Sequence, residues 1–445
     1  MIFPSHFWRY FVILWLAILG LLGSAILIDN HRELWTSSPH SNSTGLNEAQ
    51  VAEKGLQLLS LGNCIACHTE RGEAVGAGGR AFETPFGKVY SSNITPDSRD
   101  GIGTWTANNF WLALHHGKSK DGRLLTPVFP YQHTTLITRD DSDAIFAALK
   151  NLPAAANPIP IPKPSETLDW PYGSSVAIAV WRSLFFKPGT YAPQAQQSPE
   201  WNRGAYIAQG LAHCAACHSD RNAWGALAEV NDFSGGLLPV LNWYAPSLTS
   251  AQETGLASQS VAEIARFLKS GQSEQAVASG PMAEVVQHST QHWSDADLNA
   301  VAIYLKEMAQ SPLQATQKTA SNSVPKSQAT TSTKVLSQGA KIYEQHCEQC
   351  HQNQGQGIPG AYPALAKNRA VLLNDPTNLV QAVLYGGYPA ATQLNPRPFG
   401  MPPFILSLED RDIAAVLTHL RTQWGNQAAE VTPLQVNRIR ALQGN

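Results

Sequence analysis

Cys64-Ile-Ala-Cys67-His68, Cys214-Ala-Ala-Cys217-His218 and Cys347-Glu-Gln-Cys350-His351 together use every cysteine of the chain. In each stretch two thiols stand about one helical turn apart, as required to add to the two vinyl groups of one porphyrin. The histidine that follows directly is placed to supply the proximal imidazole to its iron. A structural zinc site would need further Cys or His in matched pairs, and no cysteine is left over. The motifs therefore point to three covalently bound haem c groups, attached at Cys64, Cys67, Cys214, Cys217, Cys347 and Cys350, with iron on His68, His218 and His351.

Working outward, each motif is preceded by a helical pattern with a glycine inside it. These are Asn47–Asn63, Glu200–His213 and Ser337–His346, with Gly55, Gly204 and Gly339 in similar places. A glycine inside a helix costs up to about 1 kcal/mol against alanine, so its recurrence calls for a reason such as a close helix crossing. Well downstream of each motif a second amphipathic helix begins with acidic residues: Asp140–Leu152, Ser294–Met308 and Leu408–Trp424. Little strand patterning is visible. At roughly 100–200 residues per domain, 445 residues suggest about three. The expected fold is mainly α: three tandem class I-type cytochrome c domains, each a few helices around one covalent haem, plus an N-terminal membrane helix. The segments are 1–45 (anchor or signal), 46–155 (first domain), 156–195 (connector), 196–310 (second domain), 311–333 (tether), 334–430 (third domain) and 431–445 (tail). Pro153–Pro164 is proline-rich and extended. Ser311–Thr333 has too few apolar residues to order itself and reads as a flexible tether. Val176–Phe186 is an apolar aromatic run, read as a helix packed between domains, with docking to a membrane-bound partner as the alternative.

A sixth iron ligand that raises the potential would be a methionine thioether. The chain has four methionines. Met282 and Met401 stand in Gly/Pro-punctuated loops between a motif and the last helix of its domain. They are assigned to the second and third haems. In the first domain Phe129 holds the matching place, and no methionine is present. His133 is the favoured sixth ligand there, with His115, His116 or an open site as alternatives.

From Tyr10 to Ile28 the chain is uncharged and almost wholly apolar, with Arg9 ahead and Asp29, His31, Arg32 and Glu33 beyond. That is about the length of a membrane-spanning helix. An uncleaved anchor is favoured over a cleaved signal. Either reading places the rest of the chain on the periplasmic side of the cell (inner) membrane, with Arg9 inside. A net charge of −2 with 14% charged residues gives no electrostatic case for nucleic acid. There is no nucleotide fingerprint, no catalytic triad and no catalytic residue to name.

The chain resembles the three-haem cytochrome c subunits of membrane-bound bacterial dehydrogenases, which serve alcohol, gluconate, sorbitol, fructose and aldehyde oxidation. The resemblance rests on Thr84-Pro85-Phe86-Gly87 through Asn93-Ile94-Thr95-Pro96, Trp201-Asn202-Arg203-Gly204-Ala205-Tyr206, Gly280-Pro281-Met282-Ala283-Glu284-Val285-Val286 and Trp424-Gly425-Asn426-Gln427. It implies a separate catalytic subunit that oxidises the substrate, and haems that relay its electrons to ubiquinone or another respiratory acceptor. Family members carry either Met or Phe at the Phe129 place. Some relatives have a carboxy-terminal membrane-binding extension; here the hold on the membrane is expected to rest on the amino-terminal helix. The rival readings are a haem peroxidase working at an open first iron and an anchored cytochrome subunit of a terminal oxidase.

Overall fold

The computed structural model describes residues 5–34, 45–157, 160–162, 164–227, 231–238, 241–311 and 333–442. About half of them are helical. They group into two compact units, Met1–Gly55 with Glu70–Tyr191, and Leu56–Thr69 with Ala192–Asn445. The expected tether over 311–333 lies outside the described residues except at its two ends.

In chain order, helix α1 spans Ser5–Asn30 and α2 Glu48–Leu61, and the first Cys-x-x-Cys forms a single turn, α3 (Cys64–Cys67). Strands β1 (Ala81–Thr84) and β2 (Gly87–Tyr90) make a short antiparallel hairpin. There follow α4 (Ala107–His116), α5 (Tyr131–Thr134), α6 (Arg139–Lys150), α7 (Pro164–Thr167) and α8 (Ser175–Phe185). Next are α9 (Pro199–Tyr206), α10 (Ala215–His218), a second hairpin of β3 (Gly236–Leu238) and β4 (Trp243–Ala245), α11 (Val261–Ser270), α12 (Pro281–His288) and α13 (Asp295–Gln310). The remainder holds α14 (Thr333–His346), α15 (Glu348–His351), α16 (Arg369–Leu372), α17 (Thr377–Tyr385), α18 (Asp410–Thr422) and α19 (Pro433–Ala441). The helices on either side of each motif are those the periodicity predicts, shifted by a few residues at their ends. Thr138 and Ser294 cap α6 and α13 by accepting from the backbone N–H of Asp141 and Asp297. Two differences stand out. Residues Ile207–Leu211 continue α9 as a π-helical turn rather than an α-helical one. Within the stretch 431–445, expected as a tail, Pro433–Ala441 forms α19, whose Val436 and Ile439 are buried in the core built by α14, α17 and α18.

The recurring glycines have one geometric cause. A β-carbon on Gly55 would overlap the main-chain carbonyl of Ala144, one on Gly204 that of Ala300, and one on Gly339 that of Ala415. In each case the helix before the motif crosses the later helix backbone to backbone: α2 on α6, α9 on α13, α14 on α18. The residue before each glycine then latches the crossing. Lys54 pairs with Asp141 at 2.5 Å, Arg203 with Asp297 at 2.8 Å, and the Gln338 amide donates to Asp412 at 2.7 Å. Each acceptor stands three residues before the alanine, one turn up the same face. The crossing with its latch thus occurs three times, and each copy leads into a Cys-x-x-Cys-His turn.

Within the second unit, amide side chains dock the segment after residue 333 onto the one before 311. Asn378 accepts from the Tyr244 N–H at 2.8 Å and donates to the Tyr244 carbonyl at 2.7 Å, as a paired strand would. Gln381, 1% exposed, donates to the Asn242 carbonyl, and Arg369 donates to the Gln275 amide and the Ala251 carbonyl. A chain linked by a long polar segment is therefore held by specific bonds on both sides of it.

Gly204→Ala is expected to lower stability by about 1–3 kcal/mol, the usual cost of forcing atoms into a packed crossing. Gly189→Ala, where an added β-carbon meets nothing within 4 Å, should stay within about 0.5 kcal/mol. Thermal unfolding of the two variants checks the difference.

Candidate functional site

The first two attachment motifs sit where a helix ends sharply. Asn63 and His213, the residues before Cys64 and Cys214, adopt left-handed φ values of 49° and 39°. That region is uncommon for non-glycine residues and breaks the helix so that the next turn can start in a new direction. The π-helical turn before His213 serves the same break, as such turns often do at functional sites. Burial pushes the Cys64 and Cys214 thiols up to about 12 and the Cys347 thiol up to about 11, with the second thiol of each pair adding to the effect.

The motif histidines are oriented by the main chain. His218 Nδ1 lies 2.7 Å from the Pro246 carbonyl, and His351 Nδ1 lies 2.9 Å from the Pro363 carbonyl. A carbonyl can only accept, so Nδ1 carries the proton in both and Nε2 is left with its lone pair. Burial lowers the pKa of both imidazoles, which favours the neutral form that ligates a metal. Two thiols on one turn, an adjacent neutral imidazole and a fixed tautomer fit a covalent haem. Among the described residues no three His, Cys, Asp or Glu side chains gather to hold a bare metal ion.

Met282 does not stand in a loop. It is the second residue of α12, because Pro281 carries a φ already suited to a helix start. Gly280 before it turns at φ 52° under the Trp243 indole, where a β-carbon would clash. The Met282 side chain packs beside Ala278, Ala283, Val286 and Ala390. Met401 does stand in a loop, pinned by two main-chain bonds with Gly387 of 2.8 and 3.0 Å, and its side chain packs on the core built by α14, α17 and α18.

The first and second attachment turns adjoin within the second unit. The His213 ring bonds the backbone of Gly62, and the Cys217 thiol feels the charge of Cys67. Ser289, at the end of α12, donates to the Ser60 carbonyl at 2.6 Å and accepts from the Trp293 indole at 3.0 Å. The helix that carries Met282 is therefore fastened to the segment leading into Cys64.

Of the residues considered for the first motif's sixth-ligand place, Phe129 is half-buried in a turn and His133 is 1% exposed on α5. His115 and His116 are buried on the last turn of α4. His115 is stacked on Trp111 at 4.2 Å, and burial together with His116 pushes its pKa down to about 4. These residues belong to the first unit, whereas His68 belongs to the second.

Residues 336–424 match the family model described as Cytochrome c. The chain is 35% identical over 401 residues to the cytochrome c subunit of alcohol dehydrogenase (quinone) from Komagataeibacter europaeus, covering 88% of this chain and 85% of that one. It is 33% identical over 443 residues to the gluconate 2-dehydrogenase cytochrome c subunit of Pantoea cypripedii, 96% of each. With the fructose dehydrogenase cytochrome subunit of Gluconobacter japonicus the identity is 32% over 407 residues, 87% of this chain and 82% of that one. The chain belongs to the family of dehydrogenase cytochrome c subunits.

Several residues that shape this cytochrome subunit give no signal as motifs. The carbonyls of Pro246 and Pro363 act through the main chain, so no side chain advertises them. Ser289 and Trp293 stand more than 200 residues from Ser60. The latch residues Lys54, Arg203 and Gln338 differ in type and are found only by aligning the three glycines.

Ser289→Ala would remove two short bonds and leave the Ser60 carbonyl and the Trp293 indole with only their long 3.4 Å bond to each other, a loss of about 1–3 kcal/mol. Thermal unfolding of the haem-loaded chain should show this, whereas Ser407→Ala, at an exposed hydroxyl with one long 3.4 Å bond, should be close to neutral.

Proposed function

We propose that this chain carries three haems c in three tandem class I-type cytochrome c domains, and relays electrons from a dehydrogenase catalytic subunit to ubiquinone in the cell membrane. The observation that carries the reading is the glycine-on-carbonyl crossing with its acidic latch, present three times, each time beside a Cys-x-x-Cys-His turn. Its relatives are named as cytochrome subunits of alcohol, gluconate and fructose dehydrogenases, which supports a catalytic partner that supplies the electrons. The chain itself is then no enzyme: its residues hold and tune redox centres and oxidise no substrate.

When bound, each haem supplies a one-electron carrier whose potential follows its axial ligands. His218 with Met282 and His351 with Met401 are the axial pairs proposed for the second and third. His68 with His133 is the pair proposed for the first, because Phe129 offers no donor. A second imidazole in place of a thioether favours the ferric state, so the first centre should have the lowest potential. The adjoining of the Cys64 and Cys214 turns suits direct exchange between the first two centres. Tyr10–Asn30 is a 21-residue apolar helix, about 32 Å long at 1.5 Å per residue. It suits an uncleaved anchor across about 30 Å of hydrocarbon, with the redox centres on the periplasmic side.

Near-infrared magnetic circular dichroism should find methionine ligation at two of the three irons. Met282→His should remove one such signal and lower one midpoint potential by more than about 59 mV, a tenfold change in a one-electron equilibrium. His133→Ala should alter only the lowest-potential centre. Three methionine-type signals in the wild type would contradict the assignment of the first haem. Reduction of the isolated chain by an alcohol, sugar or aldehyde would contradict the relay.

A further inference from the structure

The apolar run read as a helix between domains is α8, and its most apolar stripe faces outward. Val176, Val180 and Leu184 are 74%, 38% and 65% exposed, at i, i+4 and i+8 along one side. The opposite side, Ile178 and Arg182, is buried against the first unit. Just before the helix Trp170 is 90% exposed, and Tyr172 is exposed as well. A soluble surface has little reason to present such a row together.

The helix to which α8 is bolted identifies the occupant of this stripe. Asn30, the last residue of α1, donates to the Ala179 carbonyl and to the Ser183 hydroxyl, both at 3.0 Å. The Arg182 Nε donates back to the Asn30 side-chain carbonyl at 2.9 Å. Arg182 also donates to the His116 carbonyl at 2.7 Å and lies over the Tyr131 and Phe186 rings, which fixes the joint to the folded body. Ala179 and Ser183 flank the exposed stripe, so the row of Val176, Val180 and Leu184 runs beside the end of α1. From Asp29 to Glu33 the chain is polar and charged, with Asp29 paired to Arg32 and Glu33 paired to the buried Lys118. Asn30 therefore marks the level at which apolar surroundings give way to water.

We propose that α8 is a second membrane contact, lying in the boundary between headgroups and acyl chains with Val176, Val180 and Leu184 in lipid. Trp170 and Tyr172 stand where amphipathic rings favour that boundary. The inference rests on the reading of α1 as a membrane-spanning anchor. Its consequence is that the first unit is held at a fixed height and tilt on the bilayer, instead of hanging from one helix.

All six cysteines are consumed by haem attachment in the mature chain, so an introduced cysteine is its sole free thiol. Full-length, haem-loaded protein in phospholipid nanodiscs is labelled with a nitroxide at Leu184→Cys or Val180→Cys. Leu19→Cys in α1 serves as the lipid reference and Arg99→Cys as the water reference. Power saturation with oxygen, which concentrates in lipid, and with a water-soluble nickel chelate reads the depth. The expected result is an oxygen-to-nickel ratio at residues 180 and 184 several-fold above that at Arg99 and below that at Leu19, as a depth near the boundary requires. A water-like ratio at 180 and 184 with a lipid-like ratio at Leu19 would overturn the proposal and leave the anchor standing. Access by neither reagent at 180 and 184 would overturn it too, since protein would then cover the stripe. A water-like ratio at Leu19 would remove the anchor itself, and this proposal with it. The visible haem spectrum of each variant checks that the fold is intact.

Discussion

Three times in this chain a helix lies so close on another that only a glycine can face the neighbouring carbonyl, and the remaining architecture depends on those crossings. Backbone-to-backbone approach of Gly55 on Ala144, Gly204 on Ala300 and Gly339 on Ala415 fixes both the separation and the angle of each helix pair. Once these are fixed, the end of the first helix has a fixed position, and the attachment turn begins from it. The acidic residue one turn before each alanine gathers Lys54, Arg203 or Gln338 and sets the register along the crossing. The change from Lys or Arg to Gln in the third copy retains the hydrogen bond and drops the charge, which shows that register rather than ion pairing is the common requirement.

From the crossings the chemistry is reached by short steps. A sharp helix end, made by a left-handed residue at Asn63 and at His213, turns the thiols into place. A proline carbonyl then accepts a hydrogen bond from Nδ1–H of His218 and of His351, which fixes the tautomer, while burial favours the neutral ring that presents Nε2. Such an outer partner fixes the tautomer and makes the ligating nitrogen more basic. The bonds of Ser289 to Ser60 and of Asn378 to Tyr244 carry this local order across the second unit, where rigid spacing between redox centres matters more than any one contact.

The legible part of this structure is the part that repeats or is periodic. The motifs, their glycines and the flanking amphipathic helices are plain because each obeys a spacing rule within twenty residues. The helical run over Val176–Phe186 is visible too, but its outward face is not: a segment apolar on every side but for Arg182 and Ser183 does not reveal which side the protein leaves uncovered. Helix α19 escapes notice because Val431–Leu442 mixes polar and apolar residues without a clear apolar stripe, and only Val436 and Ile439 of the helix, with Val431 just before it, meet the core. Met282 looks like a loop residue because Gly-Pro precedes it, yet proline opens a helix as readily as it ends one. Contacts such as Ser289 with Ser60 join distant stretches and leave no local trace.

If one physical unit is used three times, each copy should hold its own redox centre and all three should accept electrons. An anaerobic coulometric titration of the mature chain, normalised to protein by amino-acid analysis, tests this most directly. Three electrons should be taken up and returned per chain, one for each attachment motif. Two or fewer, from chain whose intact mass shows complete haem attachment, would contradict the threefold use of the unit.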